Sequence, residues 1–324
     1  MIFDRQASFQ LACGAALAAA ALIGGFSFNN YLLQVGASLA MLCTLCYAWN
    51  IVGGFMGYPS FATATFFGLG AYGSAIAQTW GAPLILSWAI AAAIAAMIAT
   101  LFGAALLRLK GHYFAIGTIA TVEVFREITN NWDSFTGGAV GLNLPLIPGT
   151  PEAIVRFFFF AMLCLAFLSF LVTLMIANSR FGFGLRCIKQ NEQAAAMVGI
   201  EVYHHKVAAF ILSAILCGCA GGIYSTMVGF IEPKDAYSIL MTIEIPVMVM
   251  IGGMGTIFGP LIGALVYVVL REYVWANFID WHSGILGVIV VAAILMLPKG
   301  VVGAATARLW RGSLNRAKHM SAGG

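Results

Sequence analysis

Residues whose types could perform chemistry are few in this sequence, and they form no familiar catalytic pattern. His112, His204 and His205 border apolar stretches, and Ser60 has no candidate base in its own segment. Hydrolysis needs a nucleophile, a base and an orienting group that converge, yet the chain has neither Gly-x-Ser-x-Gly nor His-Glu-x-x-His. It also lacks the Gly-Lys-Ser/Thr run with which phosphate-binding loops hold nucleotides. We therefore predict that the chain is not an enzyme and holds no nucleotide itself.

Two cysteines have the spacing of a redox or metal-binding pair. Cys43 and Cys46 are separated by two residues, but no second Cys or His pair accompanies them. Leu42 and Leu45 lie beside them, and free cysteines in such surroundings usually behave as small buried apolar residues. We predict no metal site and no cofactor in this chain.

A few ionisable residues lie inside otherwise apolar stretches. Glu123, Arg126 and Glu127 follow one another at helical spacing, and Glu244 has no basic residue near it in the sequence. Ionisable groups in apolar spans are candidates for function by default. Arg126 could also simply neutralise its two acidic neighbours, while Glu244 could either pair across helices or face a polar path; both alternatives stay open.

The composition decides the class of protein that carries these residues. Of 324 residues, 61% are hydrophobic and 9% are charged, against about 25% charged residues in soluble domains. Residues 6–107 contain no Asp, Glu, Lys or Arg, and a membrane-spanning helix needs roughly 20 apolar residues. Runs such as 84–107 are apolar on every face, unlike the alternating strands of a membrane barrel. The sequence excludes soluble enzymes, disordered chains and nucleic-acid binders, and it predicts an all-α polytopic membrane protein.

We predict about ten transmembrane segments. They cover residues 7–27, 31–52, 59–80, 84–107, 112–130, 154–177, 206–228, 237–251, 258–276 and 283–298. Basic clusters follow the fourth, sixth and tenth segments, so the positive-inside tendency puts these loops and both termini in the cytoplasm. Ten spans also allow two halves of five in a possible inverted repeat. Residues 1–303 would form a single transmembrane domain, followed by a basic cytoplasmic tail over residues 304–324.

Small residues recur at intervals of four in several segments. Gly218 and Gly222 show this spacing, as do Gly255, Gly259 and Gly263, which we expect on one face of a helix. Glycines at this interval let helix backbones approach closely in lipid. We interpret most of them as packing residues.

The largest hydrophilic segment, residues 178–205, is the most informative loop. Its pattern predicts a short helix over Ile188–Val198 that Gly199 terminates. Arg186, Lys189 and two glutamines would share one face of that helix. A helix of this kind could lie on the membrane surface. Its mixture of small and charged residues instead favours docking to a soluble partner.

Several motifs give this loop a specific interpretation. The stretch Asn191–Gly199 resembles the Glu-Ala-Ala…Gly coupling loop of ABC importer permeases. Further stretches resemble motifs of the LivM-type branched-chain amino-acid permease family, in family order: 57–72, 109–118, 135–142, 251–264 and 297–300. The chain is therefore identified, from about residue 30 to residue 303, as similar to that family.

This resemblance implies an ABC importer permease fold and a set of partners. These are two ATPase subunits, a second homologous permease subunit, a periplasmic substrate-binding protein and the lipid of a bacterial inner membrane, with no nucleic acid. ATP and Mg²⁺ would be bound by the ATPase subunits. The residues implied in ATPase coupling are Arg180, Gly184, Arg186, Lys189, Glu192, Ala194, Ala195 and Gly199. The candidates for the translocation path are Ser60, Phe61, Thr63, Glu123, Thr136, Gly137, Gly138 and Glu244.

The resemblance leaves the substrate open. Ala62 and Thr63 stand where the family usually has a Gly and commonly a His, so a substrate other than leucine, isoleucine or valine remains an alternative if this stretch lines the path. Similar permeases serve other amino acids, urea or short amides. An ion-coupled secondary transporter is a further alternative, and its ion-linked carboxylates would be Glu123, Glu127 and Glu244.

Overall fold

The protein is a bundle of long helices with one very small sheet. The computed structural model describes residues 2–27, 29–145, 147–277, 284, 287, 300 and 301. The α-helices are α1 (Ile2–Ser27), α2 (Asn30–Trp49), α3 (Thr63–Thr79), α4 (Leu84–Leu106), α5 (His112–Asn131), α6 (Asp133–Thr136), α7 (Pro151–Asn178), α8 (Arg180–Gln190), α9 (Glu192–Met197), α10 (Val202–Val228), α11 (Pro233–Ala236), α12 (Ile239–Gly252) and α13 (Gly259–Asn277). A wide π-helical turn over Asn50–Met56 extends α2, a 3₁₀ turn covers Gly138–Val140, and β1 (Leu142–Asn143) pairs antiparallel with β2 (Phe230–Ile231).

The predicted all-α polytopic class is confirmed. Seven helices in the described part of the chain are long and apolar enough to cross a membrane. The first nine predicted segments each overlap one helix of 14 residues or more. Of these, α3 has only 17 residues and is buried inside the bundle, while α5 carries three charged residues. The tenth segment, 283–298, and the tail over 304–324 lie outside the described residues, so the number of ten spans and the inverted repeat remain predictions.

The contacts between loops show that the loops lie at two opposite ends of the bundle. The loops after α2, α4, α7 and α12 meet at one end, which we name the basic end because it contains Lys110, Lys189 and Lys206. At the opposite end, β1 pairs with β2, and Trp80 after α3 lies 5.9 Å from the ring of Phe135. Consecutive long helices therefore run in opposite directions through the bundle.

The third predicted segment begins later than its hydropathy indicates. We expected it from residue 59, but α3 starts at Thr63, because the chain turns at Gly57 with a φ of +79° and then forms a loop. An L-residue other than glycine would be strained in that backbone conformation. The loop over residues 57–62 therefore belongs to the basic end and not to α3.

Close helix packing through glycine holds α3, α4 and α10 together. A side chain at Gly70 of α3 would overlap the carbonyl oxygen of Gly218 on α10, and one at Gly218 would lie 2.6 Å from the Cβ of Ala95 on α4. The packing interpretation of Gly218 and Gly222 is confirmed. The expected helical stripe of three glycines is wrong at Gly255, which lies in the loop before α13 with a φ of +74°.

We expect Gly70→Ala to lower the free energy of unfolding by about 1–3 kcal/mol, because the added methyl group forces two helix backbones apart. The measurement is thermal or denaturant-induced unfolding of the purified chain in detergent. Gly117→Ala is the matched control, since its Cβ would meet only the ends of Leu106 and Leu109, at 3.1 Å. Equal stability of the two variants would contradict the packing assignment.

Candidate functional site

The 178–205 loop folds as two short helices and not as one. We predicted a single helix over Ile188–Val198, but the chain is extended at Asn191, with φ −162° and ψ +117°. The side chain of Asn191 accepts hydrogen bonds from the backbone N–H of Gln193 (2.9 Å) and of Ala194 (3.1 Å) and so begins a new helix. Arg186 and Lys189 therefore do not share a helix face with Gln193. Gly199 ends α9 with a φ of +85°, as predicted.

A buried lysine anchors α9 to the rest of the bundle. Lys206 near the start of α10 has a side chain only 5% exposed, and it forms an ion pair with Glu192, the first residue of α9. The Tyr58 hydroxyl accepts a hydrogen bond from Lys206 Nζ (2.7 Å) and donates one to the Glu192 carboxylate. Lys110 Nζ lies 3.9 Å from the other carboxylate oxygen of Glu192. We name Tyr58, Lys110, Glu192 and Lys206 the latch cluster.

The latch cluster satisfies charges that would otherwise be costly to bury. An ammonium group removed from water must be paired and hydrogen-bonded, and Lys206 has both kinds of partner. Its Nζ also lies 4.2 Å from the centroid of the Tyr58 ring, which adds a cation–π attraction. Of the four residues of the latch cluster, Glu192 is the one that the sequence motifs assigned to ATPase coupling. Tyr58 and Lys206 are 148 residues apart in the sequence, so no local motif could bring them together.

Opposing effects set the ionisation of Glu192. Partial burial favours the neutral acid, but hydrogen bonds from Lys206 and Tyr58 and the charges of Lys206 and Lys110 outweigh it, so the pKa of Glu192 lies below its ordinary value. Burial and the hydrogen bond to Glu192 raise the pKa of Tyr58 above its ordinary value. The cluster therefore holds an ionised carboxylate and a neutral phenol at neutral pH. A cavity of about 390 Å³ opens beside it, so that Glu192 keeps 20% of its side chain exposed.

A second contact joins α8 to the π turn after α2. Lys189 Nζ donates a hydrogen bond to the carbonyl oxygen of Gly54 (2.7 Å), and burial lowers the pKa of this lysine. The fully buried Asn50 links the same turn to the loop before α13: its Nδ2 donates to Thr256 O (3.0 Å), and its Oδ1 accepts from Gly255 N–H (2.8 Å). The π turn after α2 is therefore bonded both to α8 and to the loop before α13.

The other residues that the resemblance implies in ATPase coupling are either packed against the bundle or exposed. Gly184 leaves room for the ring of His205, since a Cβ there would lie 2.7 Å from it, and Ala195 is buried. The guanidinium group of Arg186 donates hydrogen bonds to carbonyl oxygens of α7 and α8 and lies 5.9 Å from the centroid of the Phe55 ring. Arg180, Ala194 and Gly199 are exposed.

Two large apolar side chains are exposed at the end of α9. Met197 is 82% exposed and the following Val198 is 74% exposed, directly beside Gly199. On the other side of the same helix, Glu192 and Ala195 face the bundle. Exposed apolar groups of this kind are typical of interaction surfaces.

Several path candidates lie along the contact between α3 and α5. The backbone N–H of Phe61 donates to Thr118 Oγ1 (2.9 Å), and further along the two hydroxyls of Thr65 and Thr121 are 3.2 Å apart. Thr129 Oγ1 donates to the Tyr237 hydroxyl (3.2 Å). We name this row of hydroxyl groups between α3 and α5 the hydroxyl seam. It was not predicted, although Thr118, Thr121 and Thr129 recur at helical spacing on α5.

The other non-acidic candidates for the translocation path lie at the two ends of the hydroxyl seam. Thr136 Oγ1 donates to the carbonyl oxygen of Thr129 (2.6 Å) at the opposite end, and Gly137 and Gly138 form the turn beyond it with positive φ angles. Thr63 is buried at the start of α3. Ser60 is also buried, and its carbonyl oxygen accepts a hydrogen bond from the Trp49 indole (2.6 Å).

The two acidic candidates lie elsewhere, and both have partners. Glu123 forms an ion pair with Arg126 at 2.6 Å, and Arg126 also lies 3.8 Å from Glu127, as the neutralisation alternative proposed. Glu244 of α12 accepts a hydrogen bond from Tyr267 of α13 and lies near Arg271 of the same helix. Pairing across helices is therefore the arrangement found for Glu244. Neither contact assigns these carboxylates to a path.

The predicted burial of the cysteine pair is confirmed. Cys43 is 2% exposed and Cys46 is fully buried, and the Cys46 thiol contacts Met248 Sδ at 3.7 Å. In the part of the chain that the structure describes, no three His, Cys, Asp or Glu side chains gather as ligands for a metal ion.

Lys206→Met is expected to destabilise the chain by up to about 3 kcal/mol, because it leaves the half-buried Glu192 without its main cation. The measurement is the free energy of unfolding in detergent. Lys110→Met is the control: this lysine is 72% exposed and should contribute less than about 0.5 kcal/mol. The double variant Glu192→Gln with Lys206→Met should lose less than the sum of the two single changes. Additive losses would show that the two side chains are not coupled.

The depressed pKa of Glu192 predicts an acid-sensitive contribution to stability. Because the folded-state pKa lies below the ordinary value of 4.5, the stabilisation is fully present above pH 4.5 and is lost as the pH falls through the folded-state pKa. We expect the difference in unfolding midpoint between the unaltered chain and Glu192→Gln to be constant from pH 8 to about pH 5 and to shrink below that. A difference that instead disappears between pH 6 and pH 8 would contradict this assignment.

Comparison with known proteins places the chain among transport proteins. A family described as "Branched-chain amino acid transport system / permease component" matches residues 31–294. The high-affinity branched-chain amino acid transport system permease protein LivM of Escherichia coli K12 is 26% identical over 280 residues, which are 78% of this chain and 65% of that protein. LivM of Salmonella typhimurium is 25% identical over the same shares. The chain thus spans about 65% of the length of these relatives.

More distant similarity extends to permeases with other printed substrates. The autoinducer 2 import system permease protein LsrC of Klebsiella pneumoniae is 27% identical over 54% of this chain and 54% of its own length. The nucleoside ABC transporter permease protein NupC of Lactococcus lactis is 28% identical over 43% of this chain and 48% of its own length. No solved structure matches the chain significantly.

Proposed function

The chain belongs to the branched-chain amino acid transport system permease family, and from that premise we propose that it is the permease subunit of a multi-subunit ABC importer in a bacterial inner membrane. It would import branched-chain or related amino acids. ATP and Mg²⁺ would be held by two ATPase subunits, and a periplasmic binding protein would deliver the substrate. A second, homologous permease subunit would complete the membrane domain. The predicted cytoplasmic position of both termini puts the basic end on the ATPase side.

The observation that carries this proposal is the construction of α9. Its inner side is tied to the bundle through Glu192, Lys206 and Tyr58, whereas Met197 and Val198 on its outer side are exposed without any cover. A helix that is anchored on one side and apolar on the other is suited to fill a groove of a soluble partner. The resemblance of Asn191–Gly199 to a coupling loop supports an ATPase subunit as that partner.

The contacts of the basic end connect α8 and α9 to the long helices of the bundle. Closure of the ATPase dimer would displace α8 and α9 together. The latch cluster would pass this displacement to α10, and the contact between Lys189 and Gly54 would pass it to the end of α2. Because Asn50 bonds the π turn to the loop before α13, that helix would move as well. The membrane helices would thereby alternate between two orientations of access.

The hydroxyl seam supports a path for a polar solute next to α5. This helix packs closely with neither α3 nor α4, while α3 packs tightly on α10. The threonine hydroxyls of the seam are paired within the protein, and they would become available to a solute if this loose contact opened. We assign Phe61, Thr63 and Thr136 to this path, together with Thr118 and Thr129.

An amino acid is favoured as the substrate by the extent of similarity. The LivM relatives match 78% of the chain, whereas the permeases named for autoinducer 2 and for nucleosides match 54% and 43%. We propose import of amino acids with apolar side chains.

The proposal predicts that Met197→Asp with Val198→Asp abolishes coupling to the ATPase without unfolding the chain, because both side chains are exposed. We expect at least tenfold less ATPase subunit to copurify in mild detergent and ATP-driven uptake to be lost. Val140→Asp is the matched control: Val140 is also 82% exposed but lies at the opposite end. Undiminished copurification and uptake in the double variant would overturn the coupling role of α9. Uptake that persists without ATP would favour an ion-coupled transporter instead.

A further inference from the structure

The cavity of about 390 Å³ beside the latch cluster is a polar site where four segments meet. These segments are the loop after the π turn, the turn between α4 and α5, the end of α8 and the start of α9. Its polar and charged side chains belong to Tyr58, Lys110, Gln190, Asn191, Glu192 and Gln193. The cavity therefore lies at the junction of α9 with the turn that leads into α5.

The charges around this cavity are unequally satisfied. Glu192 is neutralised by the buried Lys206, and the Tyr58 hydroxyl donates to the same carboxylate oxygen, Oε1. Lys110 Nζ lies 3.9 Å from the other oxygen, which is beyond hydrogen-bonding distance. Two lysines and one glutamate leave the cluster with a net positive charge, and the excess lies on Lys110, whose side chain is 72% exposed. The ammonium group of Lys110 is therefore free to bind an anion.

The side chains next to Lys110 supply further hydrogen-bond donors. Gln190, Asn191 and Gln193 are exposed, and each has a carboxamide group with two N–H bonds. Asn191 uses its Oδ1 to begin α9, which leaves the N–H bonds of the same amide for another acceptor. An ammonium group with amide donors beside it matches a carboxylate. Residues 108–112 and 178–206 agree with this, since they contain six Lys and Arg against two Glu.

We propose that this cavity receives an acidic side chain of the ATPase subunit, whose carboxylate bonds to Lys110 and to the carboxamide groups beside it. The inference rests on the proposed function and adds a second point of attachment next to α9. An ATPase subunit is the partner because the cavity wall includes the start of α9, and the exposed Met197 and Val198 at the end of the same helix form the proposed contact with that subunit.

The position of Lys110 gives this attachment an effect of its own. Lys110 lies in the short turn between Leu106, where α4 ends, and His112, where α5 begins. Helix α5 forms one side of the hydroxyl seam, and α3, which packs tightly on α10, forms the other. Helix α9 is bonded to α10 through Glu192 and Lys206. The ATPase would thus hold both sides of the seam, α5 through Lys110 and α3 through α9 and α10.

The first test reverses the charge of Lys110. The complex is purified in mild detergent, and the amount of ATPase subunit recovered per copy of this chain is measured. Lys110→Glu should lower this amount at least about tenfold, because two carboxylates would then face each other. Lys110→Arg keeps the positive charge and should keep the recovery within about twofold. Lys234→Glu is the matched control, since Lys234 is also exposed but lies on α11 at the opposite end.

The second test identifies the partner of Lys110 directly. A water-soluble carbodiimide joins an amine to a carboxylate with loss of water and without a spacer, so it links only groups in contact. In the intact complex, mass spectrometry should find Lys110 joined to an Asp or Glu of the ATPase subunit. Lys110→Arg should abolish this link while the ATPase subunit still copurifies, because a guanidinium group does not form the amide. A link to Glu192 within the chain is recognised by its different peptide mass.

The outcomes separate this inference from the function on which it rests. If Lys110→Glu retains the ATPase subunit and Lys110 is linked only within its own chain, the inference is overturned, while the role of α9 stands. The same result would follow if Lys110 bound a lipid phosphate. If Lys110→Glu also lowers the melting temperature, the link found in the unaltered complex decides. If no ATPase subunit copurifies with the unaltered chain, the proposed function fails and this inference fails with it.

Discussion

The arrangement of the basic end depends on one buried charge. Lys206 enters the bundle at the second turn of α10, and its buried ammonium group is paired with a carboxylate and hydrogen-bonded to a hydroxyl. Glu192 supplies the carboxylate from α9, and Tyr58 supplies the hydroxyl from the loop that follows the π turn. Three segments that are remote in sequence are thereby held at one point. The same pairing leaves the outer side of α9 free for a partner.

Glycine-based packing and hydroxyl contacts divide the bundle into a rigid part and a looser part. Gly70 and Gly218 let α3 and α10 approach to backbone contact, so these two helices are tightly packed. The contact of α3 with α5 combines the hydroxyl pair of Thr65 and Thr121 with apolar packing around Phe125. A displacement received at Lys206 would therefore be carried by α10 and α3 and would change the seam between α3 and α5.

Much of the fold could be predicted from the sequence, because the signals are local. Nine of the predicted segments overlap a helix of 14 residues or more, and Gly199 and the glycines of α10 behave as their spacing indicated. The break at Asn191 was missed, although Asn favours the start of a helix over its interior. Glu192 was identified through a motif, whereas Lys206 and Tyr58 were not, because a basic residue near a span normally reports only orientation.

The sequence by itself determined that this chain is a polytopic helical membrane protein with a polar loop built for contact, since hydropathy and glycine spacing act within a few turns of helix. Tertiary structure decided which groups meet: Lys206 with Tyr58 across 148 residues, and Thr129 with Tyr237 across 108. It also left the buried Tyr72 hydroxyl without a partner among the described residues. Such pairings depend on how the helices are rotated and packed, and no local pattern encodes the position of a side chain on another helix.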